Sequence, residues 1–175
     1  MAKPVRVIEV LQPYATLLSV GGLQYCVRKY GLNYTGPVAI FASNFWNQDQ
    51  DHCCRLPTVR VCLKAFGYDK KSDLAFGRIV ALANLEACDL INDAEEYKRM
   101  NQINGMDSDL TKFVRGEWCY CFSSVSPIDY KPKQIGRFQW KLDHHESIEV
   151  IGLADKSLPI WANSIDRSLG CGIMK

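Results

Sequence analysis

The sequence predicts an α+β domain: a small β-barrel of five to seven strands with short helices at its rim. Three observations lead there. Strand-length runs that are β-branched, alternating or continuously apolar recur at Val5 to Leu11, Leu23 to Arg28, Pro37 to Ser43, Ile79 to Leu90, Gly116 to Val125, Gly136 to Leu142 and Ser147 to Leu153. Turn-forming pairs separate them, among them Gly21-Gly22, Gly36-Pro37, Ser126-Pro127 and Lys131-Pro132-Lys133. Few segments between them have helical spacing.

Each element has its own signal. Gln12-Pro13 stops the first strand, and Ala15, Leu17 and Leu18 then fall at helical spacing, with Pro13 suited to a first turn. Gly21-Gly22 ends that short helix. Asn44 to Leu56 is polar and predicts a loop or ragged helix, and Thr58 to Phe66 fits either a strand or a helix. Ile79 to Leu90 predicts a long central strand. Asn92 to Asp109 is the most acidic stretch. In the strand from Gly116, Trp118, Tyr120 and Phe122 face one side and Cys119 and Cys121 the other, and Ser126-Pro127 is expected to break it. The barrel is expected over residues 5–150, with 151–175 a C-terminal extension packed on it by Leu158, Ile160 and Trp161.

At 175 residues the chain suits one domain able to bury a core without staples. A net charge of +2 argues for nucleic acid only if the charge is segregated. No apolar run is long enough to span a membrane, and the first residues lack a secretory h-region, so a cytoplasmic location without membrane partners is expected. The eight cysteines lie mostly in apolar, strand-like runs, Cys62 among them, and are expected to be small buried hydrophobes rather than a disulfide framework.

Four blocks carry a family resemblance. Leu11-Gln12-Pro13-Tyr14-Ala15, followed by an apolar helix and Gly22, resembles the opening motif of ASCH domains, a branch of the PUA-like superfamily. Gly36 to Ser43, Phe76 to Cys88, and the pair Gly116 to Tyr120 and Gly136 to Leu142 resemble later strands of that family in the same order. The resemblance spans Val7 to Leu142 and implies a PUA-like barrel with a cleft between barrel and first helix. It also implies RNA or DNA binding, with some members hydrolysing RNA or modified nucleosides. The hydrolase pattern places Lys, Glu and Arg after the helix-ending glycine, where this chain has Gln24, Val27 and Lys29. Valine accepts no proton and glutamine carries no charge, so binding survives this change more readily than catalysis.

In the inferred cleft, Gln24, Arg28, Lys29, Ser43 and Asn44 are the expected ligand contacts, amides for base edges and cations for phosphate. Arg115, Lys131, Lys133, Arg137 and Lys141, with Lys112, form a second basic cluster interleaved with Trp118, Tyr130 and Phe138, a composition suited to single strands. The best metal-like group is His52, Cys53, Cys54 and Cys62, whose chemistry would suit structural zinc, although its spacing is not that of a Cys-x-x-Cys pair. No cofactor is required by any motif. Nucleophile elbows, phosphate-cradling glycine loops and His-Glu-x-x-His are absent.

The leading expectation is a non-catalytic module that binds RNA or another single strand. The alternative is a repurposed protein-binding regulator, for example a phage-type inhibitor of a host nucleic-acid-processing enzyme such as a defence nuclease, with Phe45-Trp46-Asn47 as an exposed aromatic patch. The third is a hydrolase of RNA or modified nucleosides.

Overall fold

The structure is a computed structural model that describes residues 4–93, 116–137 and 139–157. The acidic stretch beyond Asp93, the basic Lys112 and Arg115, the side chain of Phe138, and residues 158–175 of the expected extension lie outside the described residues.

Six strands form one curled half-barrel: β1 (Arg6–Val10), β2 (Tyr25–Arg28), β3 (Gly36–Ala42), β4 (Arg78–Leu90), β5 (Trp118–Tyr130) and β6 (Gln139–Lys141). Their order across the sheet is β2-β5-β4-β3-β1-β6. Among the described strands only β1 and β3 run parallel. The curl brings non-neighbouring strands within reach, since the Gln139 Nε2 amide of β6 donates to the Tyr120 hydroxyl of β5 at 3.2 Å.

Alternation along the strands splits the core into two faces. Ile8, Val10, Val38, Ile40, Tyr120 and Phe122 point inward, against α1 (Tyr14–Ser19), α2 (Gln48–Arg55) and α3 (Pro57–Ala65). Val7, Ala39, Phe41 and Ile79 point outward and are covered by α4 (His144–Lys156) through Val150. A sheet covered on both faces explains why β3 and β4 read as continuous apolar runs.

The opening motif is a structural joint. Gln12 is fully buried. Its amide donates to the Ala75 carbonyl at 2.6 Å, and its Oε1 accepts from the Thr16 amide at 3.1 Å and the Thr16 hydroxyl at 2.9 Å. One side chain thereby satisfies an otherwise orphaned helical N–H of α1 and ties that helix to the segment entering β4. Gly77, beside it, has φ +65, a left-handed conformation that favours glycine, and a Cβ there would push the Asn44 side-chain amide aside.

Two sequence readings change and two that were open are decided. Ser147 to Leu153, expected as a strand, lies within α4. Asp143 caps that helix by accepting from the Glu146 amide at 2.8 Å, and burial of Ser147, Val150 and Ala154 follows one helical face, overriding the β-branched residues. The polar stretch before Leu56 forms α2, closed by a capping box in which Asn47 accepts from the Asp49 and Gln50 amides. Thr58 to Phe66 resolves as the helix α3, with Pro57 in its first turn and Val59 and Leu63 buried one turn apart, so Cys62 is helical rather than strand-like. Finally, β5 continues through Ser126-Pro127 to Tyr130. Pro127 sits opposite Ala81 beside a register shift, where a missing N–H costs the ladder least.

The cysteines among the described residues are free thiols, with Cys26, Cys53 and Cys119 buried. No helix among the described residues is long and apolar enough to cross a membrane.

Candidate functional site

Two adjoining cavities, of about 330 and 440 Å³, share Leu11, Val27, Arg28 and Glu117 and form one cleft. Its walls come from the end of β1, from β2 and from the residue before β5, with Tyr14 of α1 and Gln50 of α2 at one side. Lys29, Tyr30, Ser43 and Phe45 line the other side, together with Glu9. Helix α1 sits against β3, β4 and β5, so the cleft lies beside the first helix.

Ser43 organises the floor. Its amide donates to the Val10 carbonyl at 2.9 Å, continuing the parallel pairing of β1 and β3 past their ends. Its hydroxyl donates to Glu9 Oε1 at 2.6 Å and accepts from the Phe45 amide at 3.1 Å. The side chain is buried, so Ser43 fixes the backbone that presents Phe45 at 57% exposure. One hydroxyl thus links the Glu9 carboxylate to the Phe45 backbone.

The opposite wall is held by Tyr120, whose hydroxyl donates to the Tyr30 carbonyl at 2.9 Å. Burial pushes that phenol up to about 12, with the Cys88 thiol adding to the shift and Arg28 opposing it. Burial likewise raises the Cys26 thiol, and neighbouring Arg28 offsets part of the rise. The Tyr30-Gly31 turn lies flat on Trp118: a Cβ on Gly31 would stand 2.7 Å from the indole. Trp118 is half-buried and packs against the inner core, so its ring supports the turn.

Of the five expected cleft residues, Arg28, Lys29 and Ser43 line the cleft. Gln24 and Asn44 are exposed and line neither cavity; Gln24 contributes its carbonyl to the Phe122 amide, and Asn44 rests on Gly77. Val27 faces the cleft, presenting an apolar group where the hydrolase pattern has a carboxylate.

Lys131 and Lys133 of the second basic cluster lie at the other end of β5 from the cleft. They follow Tyr130, while Arg28 pairs with Trp118 at the strand's start. Twelve residue steps separate those ends, roughly 40 Å of strand path. There the Lys133 amide donates to Glu146 at 2.8 Å and the Tyr130 hydroxyl to Glu149 at 2.7 Å, so the turn docks on α4 carboxylates. Lys141 pairs with Arg6, away from the cleft end of β1, whereas Arg137 precedes Gln139 on the cleft side.

His52, Cys53 and Cys54 are consecutive on α2, and Cys62 lies on α3. Consecutive helical positions point apart. Among the described residues no three His, Cys, Asp or Glu side chains are arranged to hold a metal ion.

Sequence reading missed Glu9, Tyr30 and Glu117, and named Phe45 only as an exposed aromatic residue outside the cleft. Glu9 carried a usable signal, a carboxylate inside the apolar run Val7-Ile8-Glu9-Val10. The others come from loops that only the folded sheet brings together.

No protein-family model matches the sequence, and no curated protein sequence matches it. The fold is an α+β half-barrel, and among solved structures it is ASCH-like. It is similar to an ASCH protein from Zymomonas mobilis, with TM-score 0.55 and 13% identity over 85% of this chain and 94% of that one. A tyrosine-to-phenylalanine variant of the Zymomonas mobilis protein gives TM-score 0.51 at 12% identity, over 86% of this chain and 99% of that one. Its serine-to-alanine variant gives 0.50 at 12%, over 85% and 94%.

Proposed function

We propose that this chain is a non-catalytic PUA-like module that binds RNA or another single strand in the cleft beside α1. The observation that carries the reading is that Arg28 and Lys29 line one cavity together with the exposed Tyr30 and Phe45. Cations hold the phosphate backbone, rings stack unpaired bases, and a cleft of this size takes a splayed base rather than a duplex groove. Glu9 and Glu117 bring negative charge into the same space and suit amino and imino donors on a base edge. Val27 in place of a carboxylate supports binding over hydrolysis. In this reading the protein works in the cytoplasm with its RNA.

With two phosphate-contacting cations, log K falls against log salt with a slope of about −1.4 for a single strand. That corresponds to roughly a sevenfold loss of affinity between 50 and 200 mM salt. Equilibrium titration of a fluorescent single-stranded RNA across this range tests the reading. Failure to bind any oligonucleotide at low salt rules it out.

One observation favours a second reading, hydrolysis: the Ser43 hydroxyl is bonded to the Glu9 carboxylate inside the cleft. Product release from RNA or modified nucleosides that Glu9→Gln abolishes would select it over simple binding.

A further inference from the structure

A separate concavity of about 230 Å³ lies between α2, α3 and the turn Lys70-Lys71. Gln50 lines the cleft, whereas Asp51, Cys54 and Arg55 of the same helix line this pocket, so α2 contributes to both. Its polar wall carries Arg55, Arg60, Lys70 and Lys71, and its aromatic wall Trp46 and Tyr68. Trp46 is fixed by an edge contact with Phe76, ring centroids 5.7 Å apart, and carries the Lys71 ammonium over its ring at 4.6 Å.

The charges leave a cationic surplus. The pocket's two carboxylates are already engaged, Asp51 with Arg55 and Asp69 with Lys64. Cys54 adds no negative charge near neutral pH, because burial, helped by Cys53 and Asp51, pushes its thiol up to about 11. Arg60, Lys70 and Lys71 therefore face the pocket as cations without a carboxylate partner among the described residues.

We infer that this pocket binds the terminal phosphomonoester of a nucleotide, with Arg60, Lys70 and Lys71 on the phosphate and the ring beside Trp46. A phosphomonoester carries about −1.5 to −2 at neutral pH, against −1 for an internal phosphodiester, so clustered cations select the chain end. A guanidinium supplies a bidentate fork and ammonium groups supply point charges. The volume is below the ~300–1,000 Å³ usual for whole-ligand pockets, which fits one phosphate and ring edge with the rest of the ligand outside. The nucleotide is chosen because the cleft, to which the same helix contributes Gln50, is read as binding RNA, and the inference rests on that reading.

The test uses the full chain and three probes: an RNA with a hydroxyl end, the same RNA phosphorylated at its 5′ or 3′ end, and a free nucleoside monophosphate. The expected result is at least tenfold tighter binding of one phosphorylated RNA than of the hydroxyl form. Arg60→Ala with Lys71→Ala should erase that gain and leave hydroxyl-RNA binding unchanged; both residues are exposed, and thermal melts check that the variant folds. Saturable binding of the monophosphate, lost in the same variant, supports the pocket as a site for free nucleotide. Equal binding of all RNA ends, with no monophosphate binding that depends on Arg60, overturns the inference and leaves the cleft reading standing. If no RNA binds but the monophosphate does, and needs Arg60, the cleft reading falls and the pocket stands.

Discussion

The Tyr120 hydroxyl accepts the Gln139 amide at 3.2 Å while donating to the Tyr30 carbonyl at 2.9 Å. One phenol therefore joins β6, at the end of the sheet, to β5 and to the turn that walls the cleft. Tyr120→Phe keeps the ring and strands both partners. The expected cost is about 1–3 kcal/mol. At about 2–4 °C per kcal/mol for a chain of this size, calorimetry should show a clearly lower melting temperature. RNA affinity should fall as well, because Tyr30 loses its anchor.

Gln12 tests whether the opening motif serves the fold or the ligand. Its three hydrogen bonds are all internal, so Gln12→Leu leaves the Ala75 carbonyl and the Thr16 groups unpaired in the core. Destabilisation of about 2–4 kcal/mol is expected by urea titration. Thr16→Val, which removes one of the three bonds, should cost about 1 kcal/mol. A Gln12→Leu protein as stable as the parent would mean that the buried network contributes nothing.

Alkaline pH should weaken the fold. A group whose folded pKa is raised binds its proton more tightly when folded, so its contribution is intact below its unfolded value and lost as pH climbs through the folded one. For Tyr120 that window runs from 10.0 to about 12, and for Cys54 from 9.0 to about 11. Melting temperature should hold steady below pH 9 and decline above it. In Tyr120→Phe, starting from its lower value, the decline between pH 10 and 12 should be shallower.

How much of this was legible in the sequence differs by element. The strands that pack on both faces announced themselves as apolar runs, and Ile79 to Leu90 matches β4 almost residue for residue. Helix α4 did not, because Ile148, Val150 and Ile151 favour strand locally; the Asp143 cap and the apolar outer face of the sheet decide the outcome. At the site, Arg28 and Lys29 followed from their place after the first helix. Phe45 and Glu117 did not, since they lie 72 positions apart in the chain and meet only when β2 pairs with β5 and the end of β3 closes on β1.

Charge removal should separate the cleft from the far end of the sheet. Arg28→Ala with Lys29→Ala should weaken RNA binding by more than tenfold at low salt and flatten the salt slope towards zero. Lys131→Ala with Lys133→Ala, at the α4 end of β5, should change affinity less than twofold. Fluorescence anisotropy at several salt concentrations reads both.

The most direct measurement is photochemical cross-linking of a single-stranded RNA to the full chain, followed by mass-spectrometric mapping of the adduct. The account predicts adducts on Tyr30 or Phe45, lost when the RNA is competed away. Reproducible adducts confined to the Tyr130 end of β5, with none at the cleft, would contradict it.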